Sequence, residues 1–215
     1  MYAAIAAPTI DPSTSGCSPS QVRKLRDAYV QAGFLARGAL VYLRALENMC
    51  LKGREQAWEA GPARAYFGRW SGDKLQLVVR AFSRLGVRFE EGFRDTTSIS
   101  APRFECFPQD HSRCHRGLLA NASIYGTVRV CPSLLKRPDG EVSAVILHEM
   151  LHQGLGIADQ KHHACGSRKD HRCYRGGALR LVENGRVDLA SRNTDNYVGF
   201  ACAVARALAR SRGRP

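Results

Sequence analysis

Two histidines and a glutamate stand close together between Val145 and His152, where the chain contains the pattern H-E-x-x-H. On a helix, His148 and His152 lie on one face, so both imidazoles can reach one metal ion. Glu149 then lies beside the coordination position that they leave open. Zinc in such a site takes three protein ligands and a water, whose proton the glutamate accepts during attack on a carbonyl. The residues therefore predict one catalytic zinc ion in a hydrolase.

A third protein ligand must come from the chain after His152. The metzincin pattern H-E-x-x-H-x-x-G-x-x-H/D does not continue here, because Leu155 occupies its glycine position and Ala158 its last ligand position. The following segment offers five other candidates, namely Asp159, His162, His163, Asp170 and His171.

The elements around these residues follow from the spacing of apolar side chains. A period of 3.6 residues predicts helices from Ser20 to Leu46, from Asp73 to Gly86, over 141–152 and over 195–209. Alternating or β-branched stretches predict strands at 87–90, 103–107 and 127–131. Helices, a small sheet and further helices indicate an α+β, predominantly helical fold, in which one helix carries the H-E-x-x-H residues.

Length and composition are those of one globular domain, with 215 residues of which 44% are hydrophobic. We expect a flexible N-terminal segment over 1–19, a single catalytic domain over 20–209 and a basic tail over 210–215. No apolar run approaches the roughly 20 residues of a membrane helix. The first residues also lack the basic and apolar regions of a signal peptide.

The net charge of +13 favours anionic partners, among them nucleic acid, acidic lipid and an anionic cell wall. The basic residues are spread along the chain and are not interleaved with stacking aromatic residues. A protein that binds single-stranded nucleic acid needs such interleaving, so this pattern argues against nucleic acid as the main partner.

The 8 cysteines are spread along the chain with no C-x2-C pair, which argues against a structural zinc site. We predict four disulfides, and hence a secreted or periplasmic protein. The alternative is a cytosolic protein with buried reduced thiols.

Four short segments, taken in order, resemble the aspzincins, the deuterolysin and peptidyl-Lys metalloendopeptidase family. In order and spacing, the resemblance extends over roughly 20–207, which is nearly the whole chain. The segments are Tyr66-Phe67-Gly68, Val128-Arg-Val-Cys131-Pro132, His148-Glu149-x-x-His152 and Asn193-Thr-Asp195-Asn-Tyr197.

The resemblance implies a zincin-like fold and a zinc endopeptidase whose third ligand is an aspartate in a G-T-x-D-x-x-Y-G segment. Two stretches of this sequence partly match that pattern. The first stretch, 156–159, keeps the glycine and the aspartate, Asp159. The tyrosine and glycine that should follow are replaced by His162 and His163. The second keeps Asp170 and Tyr174 with stretched spacing. We favour Asp170 as the ligand, with Tyr174 as the phenol that stabilises the oxyanion, and keep Asp159 or a histidine as alternatives.

The resemblance also suggests substrate-binding residues at Asp195 and Tyr197. In lysine-specific members of the family, an acidic residue at the position of Asp195 lines the S1′ pocket and selects lysine. The alternative is that Asp195 only stabilises the N-terminus of the last helix.

Three functions remain open for this chain, which we expect to act as a monomer. The first is a secreted zinc endopeptidase acting on protein or peptide. The second is a hydrolase of peptide crosslinks in an anionic cell wall. The third is a basic toxin or binding module with a non-catalytic metal site, which Glu149 disfavours because a structural site needs no acid there. The chain can be a mature enzyme or an effector domain of a larger toxin.

Overall fold

The computed structural model describes residues 14–95, 101–108, 110–115, 118–123, 126–161, 164, 173–174 and 176–212. The strands in these ranges are β1 (Thr14–Ser15), β2 (Arg103–Cys106), β3 (Ala120–Ala122) and β4 (Thr127–Val130). The helices there are α1 (Pro19–Glu47), α2 (Leu51–Ala60), α3 (Pro62–Phe67), α4 (Gly72–Arg94), α5 (Ser112–His115), α6 (Pro132–Leu135), α7 (Asp139–Leu155), α8 (Gly176–Glu183), α9 (Val187–Ala190) and α10 (Thr194–Arg212). The predicted α+β, predominantly helical architecture is confirmed. None of the described helices has the length and apolar character needed to cross a membrane.

The chain divides into two compact units, each drawn from two stretches. Unit 1 combines the chain up to Phe34 with Leu85–Gly154, and unit 2 combines Leu35–Arg84 with the chain from Leu155 onward. The single catalytic domain, flexible segment and basic tail expected over 20–209, 1–19 and 210–215 stay predictions. Of these, 1–13 and 213–215 lie outside the described residues.

The sheet of unit 1 has the strand order β1-β2-β4-β3. β2 runs parallel to β1 and to β4, whereas β3 runs antiparallel to β4. Phe104 pairs with Val128 and both are buried, while the next pair, Glu105 and Arg129, is joined by an ion pair of 2.8 Å. This alternation of buried and charged pairs fixes the register, because a slip of one residue would bury the ion pair. In the strand order given above, β3 is an edge strand of the sheet.

Residues 87–90, predicted as a strand, lie inside α4, so that prediction is wrong. Gly86 does not end the helix, which continues to Arg94. A strand would turn the side chains of Val87 and Phe89 to the same face, but Val87 is 53% exposed and Phe89 is 2% exposed. The ring of Phe89 packs 5.0 Å from that of Tyr29. Burial of this aromatic pair therefore favours the helix.

Two disulfides of unit 1 link Cys17 with Cys106 and Cys114 with Cys131. Cys173 is also disulfide-bonded. The predicted set of four disulfides is nevertheless wrong, because both Cys50 and Cys202 carry free thiols. Cys50 is exposed just before α2, and Cys202 is half-buried on α10, where burial raises the pKa of its thiol. An even count of cysteines permits complete pairing but does not require it.

The core of unit 2 is built from aromatic rings. The ring of Phe67 lies 5.1 Å from that of Tyr197 and 5.4 Å from that of Phe200. Gly199 of α10 lies directly against the ring of Tyr66, which leaves no room for a Cβ atom. The segments 66–68 and 193–197, two of the four that carried the family resemblance, are therefore packing partners.

Candidate metal centre

The helix that carries the H-E-x-x-H residues is α7, which is slightly longer than the predicted 141–152. Asp139 lies in its first turn, where a negative charge favours the helix dipole, and the Ser143 hydroxyl donates to the Asp139 carbonyl oxygen at 2.7 Å. Gly156, with a φ of 62°, follows the last residue of the helix. The fully buried apolar side chains of α7 are Val142, Ile146, Leu147, Met150 and Leu151. Their burial holds the helix and sets which face carries the histidines.

His148 and His152 bring their Nε2 atoms to within 3.0 Å of each other. Their rings are nearly perpendicular, with centroids 4.7 Å apart and an interplanar angle of 81°. Two nitrogens bound to one tetrahedral zinc ion at about 2.0–2.1 Å each would be about 3.3 Å apart. The spacing of the two atoms therefore suits ligation of a single ion.

Asp159 brings a carboxylate to the same two histidines. One ligand atom from each of His148, His152 and Asp159 lies within 4.8 Å of the other two. Two imidazole nitrogens and a carboxylate oxygen form a ligand set that zinc accepts. Asp170, which we favoured on the family pattern, lies outside the described residues, as do His162, His163 and His171.

Glu149 is 5% exposed and its carboxylate is held by the backbone of the sheet. Its Oε2 atom accepts a hydrogen bond from the backbone N–H of Ala122, the last residue of β3, at 2.6 Å. A short bond from a backbone N–H to a carboxylate restricts the rotation of that carboxylate. Because the donor is a backbone group, no residue type in the sequence indicated this contact.

Tyr174 lies beside Asp159. Its hydroxyl donates to the Asp159 Oδ2 atom at 2.9 Å, and the residue is 45% exposed. A phenol can donate equally to a carboxylate or to a developing oxyanion. The sequence associated Tyr174 with Asp170, whereas the described structure places it on Asp159.

Asp195 lies in the first turn of α10 and is half-buried. This position suits the alternative that its charge stabilises the helix N-terminus. Burial raises the pKa of the Cys202 thiol, seven residues further along the same helix, and the negative charge of Asp195 raises this pKa further.

Tyr197 is 1% exposed. Its hydroxyl donates to the Ser191 carbonyl oxygen at 2.9 Å, and burial raises the pKa of this hydroxyl above its ordinary value. A residue that binds substrate needs accessible surface, so we assign no substrate contact to Tyr197.

Two buried asparagines were missed by the sequence analysis. Asn193 and Asn196 have no exposed surface, and their side-chain amides are hydrogen-bonded to each other at 2.7 Å. The signal in the sequence was their place in the segment Asn193-Thr-Asp195-Asn-Tyr197, which contributes to the family resemblance.

The chain is similar to proteins of known structure. No family model and no curated protein matches the chain. Among solved structures, a zinc peptidase from Grifola frondosa is similar, with a TM-score of 0.57 and 19% sequence identity. The similarity covers 86% of this chain and 96% of the other. The fold of the chain is therefore similar to that of this zinc peptidase, as the resemblance in its motifs predicted.

Proposed function

We propose that the protein is a zinc-dependent endopeptidase in which His148, His152 and Asp159 hold the metal ion. The observation that carries the proposal is the meeting of these three ligand groups next to Glu149, which is held by the backbone of β3. The fold of a zinc peptidase supports the same conclusion. Asp159 replaces Asp170 in this assignment because its carboxylate is placed beside both imidazoles.

Zinc in this site would supply Lewis acidity, which polarises the scissile carbonyl and makes water acidic enough to ionise near neutral pH. Glu149 accepts the proton of the water as its oxygen attacks the carbonyl carbon. The same carboxyl group then returns the proton to the amine nitrogen as the C–N bond breaks. The products are a carboxylic acid and an amine, which become a carboxylate and an ammonium group when the acid passes its proton to the amine, and Glu149 is ready for another cycle.

Tyr174 is the proposed donor to the tetrahedral oxyanion. Because the residue is 45% exposed, its hydroxyl can leave Asp159 and turn toward a bound substrate with little loss of packing. A donor aimed at the developing charge stabilises the transition state more than the ground state. Asp195 stays our proposed S1′ residue, because a carboxylate there would pair with a substrate lysine.

The disulfides support a secreted or periplasmic location, since such bonds persist in oxidising compartments. The net charge of +13 supports a second candidate function, the cleavage of peptide crosslinks in an anionic cell wall. Both functions use the same bond chemistry and differ only in the substrate that reaches the site.

The test is a mass-spectrometric map of new termini in casein and in purified wall peptides after incubation with the zinc-loaded protein. Glu149→Gln keeps the shape of the side chain and an acceptor for Ala122 but removes the base. We expect it to lower the cleavage rate by about 10²- to 10⁴-fold. Lysine directly after the cuts would support the pocket role of Asp195.

Glu183→Gln is the matched control, because Glu183 is an exposed glutamate at the end of α8. It should cleave at the wild-type rate. Cuts in wall peptides but not in casein would favour the second function. The proposal is contradicted if the folded, zinc-bound wild type cuts neither substrate, or if Glu149→Gln cuts as fast as the wild type.

A further inference from the structure

The side chain of Asn193 joins the two segments that carry Asp159 and Tyr174. Its Oδ1 atom accepts the backbone N–H of Gln160 at 3.0 Å, and its Nδ2 atom donates to the Cys173 carbonyl oxygen at 3.1 Å. Gln160 directly follows Asp159, and Cys173 directly precedes Tyr174. One amide group therefore holds the backbone next to both functional side chains.

We propose that Asn193 is a positioning residue for the metal centre, which sets the carboxylate of Asp159 and the hydroxyl of Tyr174 relative to each other. The inference rests on the proposed function, because it takes Asp159 as a metal ligand. Asn193 itself has no exposed surface and acts only through the two segments that it joins.

Further contacts hold the segment before and after Asp159 against the residues around Asn193. Ala158 forms a parallel β-bridge with Asn193. The Thr194 hydroxyl donates to the Ile157 carbonyl oxygen at 3.3 Å, and the Gln160 side chain donates to the Arg192 carbonyl oxygen at 3.0 Å. The segment that carries Asp159 lies outside any helix. These contacts therefore fix the position of Asp159, as α7 fixes the positions of the two histidines.

The orientation of the Asn193 amide is determined by its neighbours. Nδ2 donates to both the Cys173 carbonyl oxygen and the Asn196 Oδ1 atom. The Nδ2 atom of Asn196 in turn donates to the carbonyl oxygens of Tyr66 and Ala178, at 2.7 and 3.0 Å. Rotating the Asn193 amide by 180° would set oxygen against oxygen and N–H against N–H. Asparagine is thus required for its acceptor and both of its donors.

The first measurement is the zinc Kd by competition with a chelator. Changes in groups that orient metal ligands weaken binding by about 10- to 100-fold, so we expect this increase in Kd for Asn193→Ala. Asn193→Asp keeps the acceptor for Gln160 and loses the donors, so it should raise the Kd by a smaller factor. If Asn193→Ala does not fold, the zinc Kd of Asn193→Asp tests the proposal in its place.

Asn196→Ala separates positioning from general stability. Asn196 is equally buried and hydrogen-bonded, but none of its hydrogen bonds reaches residues 157–160 or 173–174 directly. We expect a loss of thermal stability similar to that of Asn193→Ala, with a smaller increase in zinc Kd. The exposed Asn184→Ala should change neither quantity.

The second measurement is amide hydrogen exchange at Gln160 in the metal-free protein. This N–H should be protected in the wild type and should exchange faster in Asn193→Ala. Unchanged protection, an unchanged zinc Kd, or an equal rise in Kd for Asn196→Ala would overturn the proposal. A wild type that binds zinc without cutting peptides, or binds none, would refute the proposed function, while the exchange at Gln160 would still decide whether Asn193 holds the segment.

Discussion

Unit 1 and unit 2 hold their functional side chains in different ways. In unit 1, His148, Glu149 and His152 stand on one regular helix whose opposite face is buried. In unit 2, Asp159 and Tyr174 stand outside the helices and are held by side-chain hydrogen bonds that include Asn193. The helix places the first group, and one hydrogen bond from the backbone of β3 fixes the Glu149 carboxylate. The geometry of the second depends on individual buried polar side chains, so single substitutions should disturb it more.

The largest expected effect on stability lies in unit 1, at its longer disulfide. The Cys17–Cys106 bond spans 89 residues, and Cys114–Cys131 spans 17. Chain entropy then predicts losses of about 4–5 and about 3 kcal/mol when each pair is replaced by serine. Urea unfolding would measure both losses. Where the proteins are still folded, zinc affinity should be unchanged, because α7 keeps the histidines in place.

The control for these variants is Cys50→Ser, since Cys50 is an exposed free thiol. It should change the free energy of unfolding by less than about 0.5 kcal/mol. A greater loss from the shorter disulfide than from the longer one would contradict the chain-entropy argument. A loss of zinc binding by a folded variant would show that the two histidines need more than their helix to stay in place.

A smaller effect is expected in unit 2 from Tyr174→Phe. This change removes the hydroxyl that donates to Asp159 and that we propose for the oxyanion. Loss of one such donor lowers kcat by about 10²- to 10³-fold. Steady-state kinetics on a peptide substrate would measure the change in kcat.

Tyr197→Phe is its matched control, because it also removes one hydroxyl from a tyrosine of unit 2. The Tyr197 hydroxyl is bonded to the Ser191 carbonyl oxygen in the core, so its removal should lower stability by about 1–3 kcal/mol. Its kcat should stay near that of the wild type. Equal losses of kcat in the two variants would remove the distinction between the site and the core.

The difference between the units also explains what the sequence could predict. The two histidines of α7 are four residues apart, and the apolar residues of the helix recur with helical periodicity. The sequence therefore predicted the helix and the positions of both histidines and Glu149 on it. The third ligand was harder to predict, because neither candidate segment keeps the spacing of the family. Hydrogen bonds between residues 33 apart in the chain also leave no periodic pattern in the sequence. Sequence reasoning therefore favoured Asp170, whereas the described structure brings Asp159 to the histidines.

Two predictions from the sequence are wrong, each for a specific reason. The stretch 87–90 alternates like a strand, but packing of Phe89 on Tyr29 keeps it helical. The even number of cysteines suggested complete pairing, yet Cys50 and Cys202 are free. The first case depends on a contact between distant parts of the chain, which local patterns do not record.

Asp159 completes the proposed metal site, and the zinc content of aspartate variants tests this assignment most directly. Asp159→Ala, Asp170→Ala and the exposed control Asp188→Ala would be loaded with zinc, dialysed and analysed for bound metal and Kd. We predict that only Asp159→Ala loses zinc, with binding weakened by more than about 100-fold, beyond the range for residues that merely orient ligands. Zinc lost by Asp170→Ala and retained by Asp159→Ala would contradict the assignment.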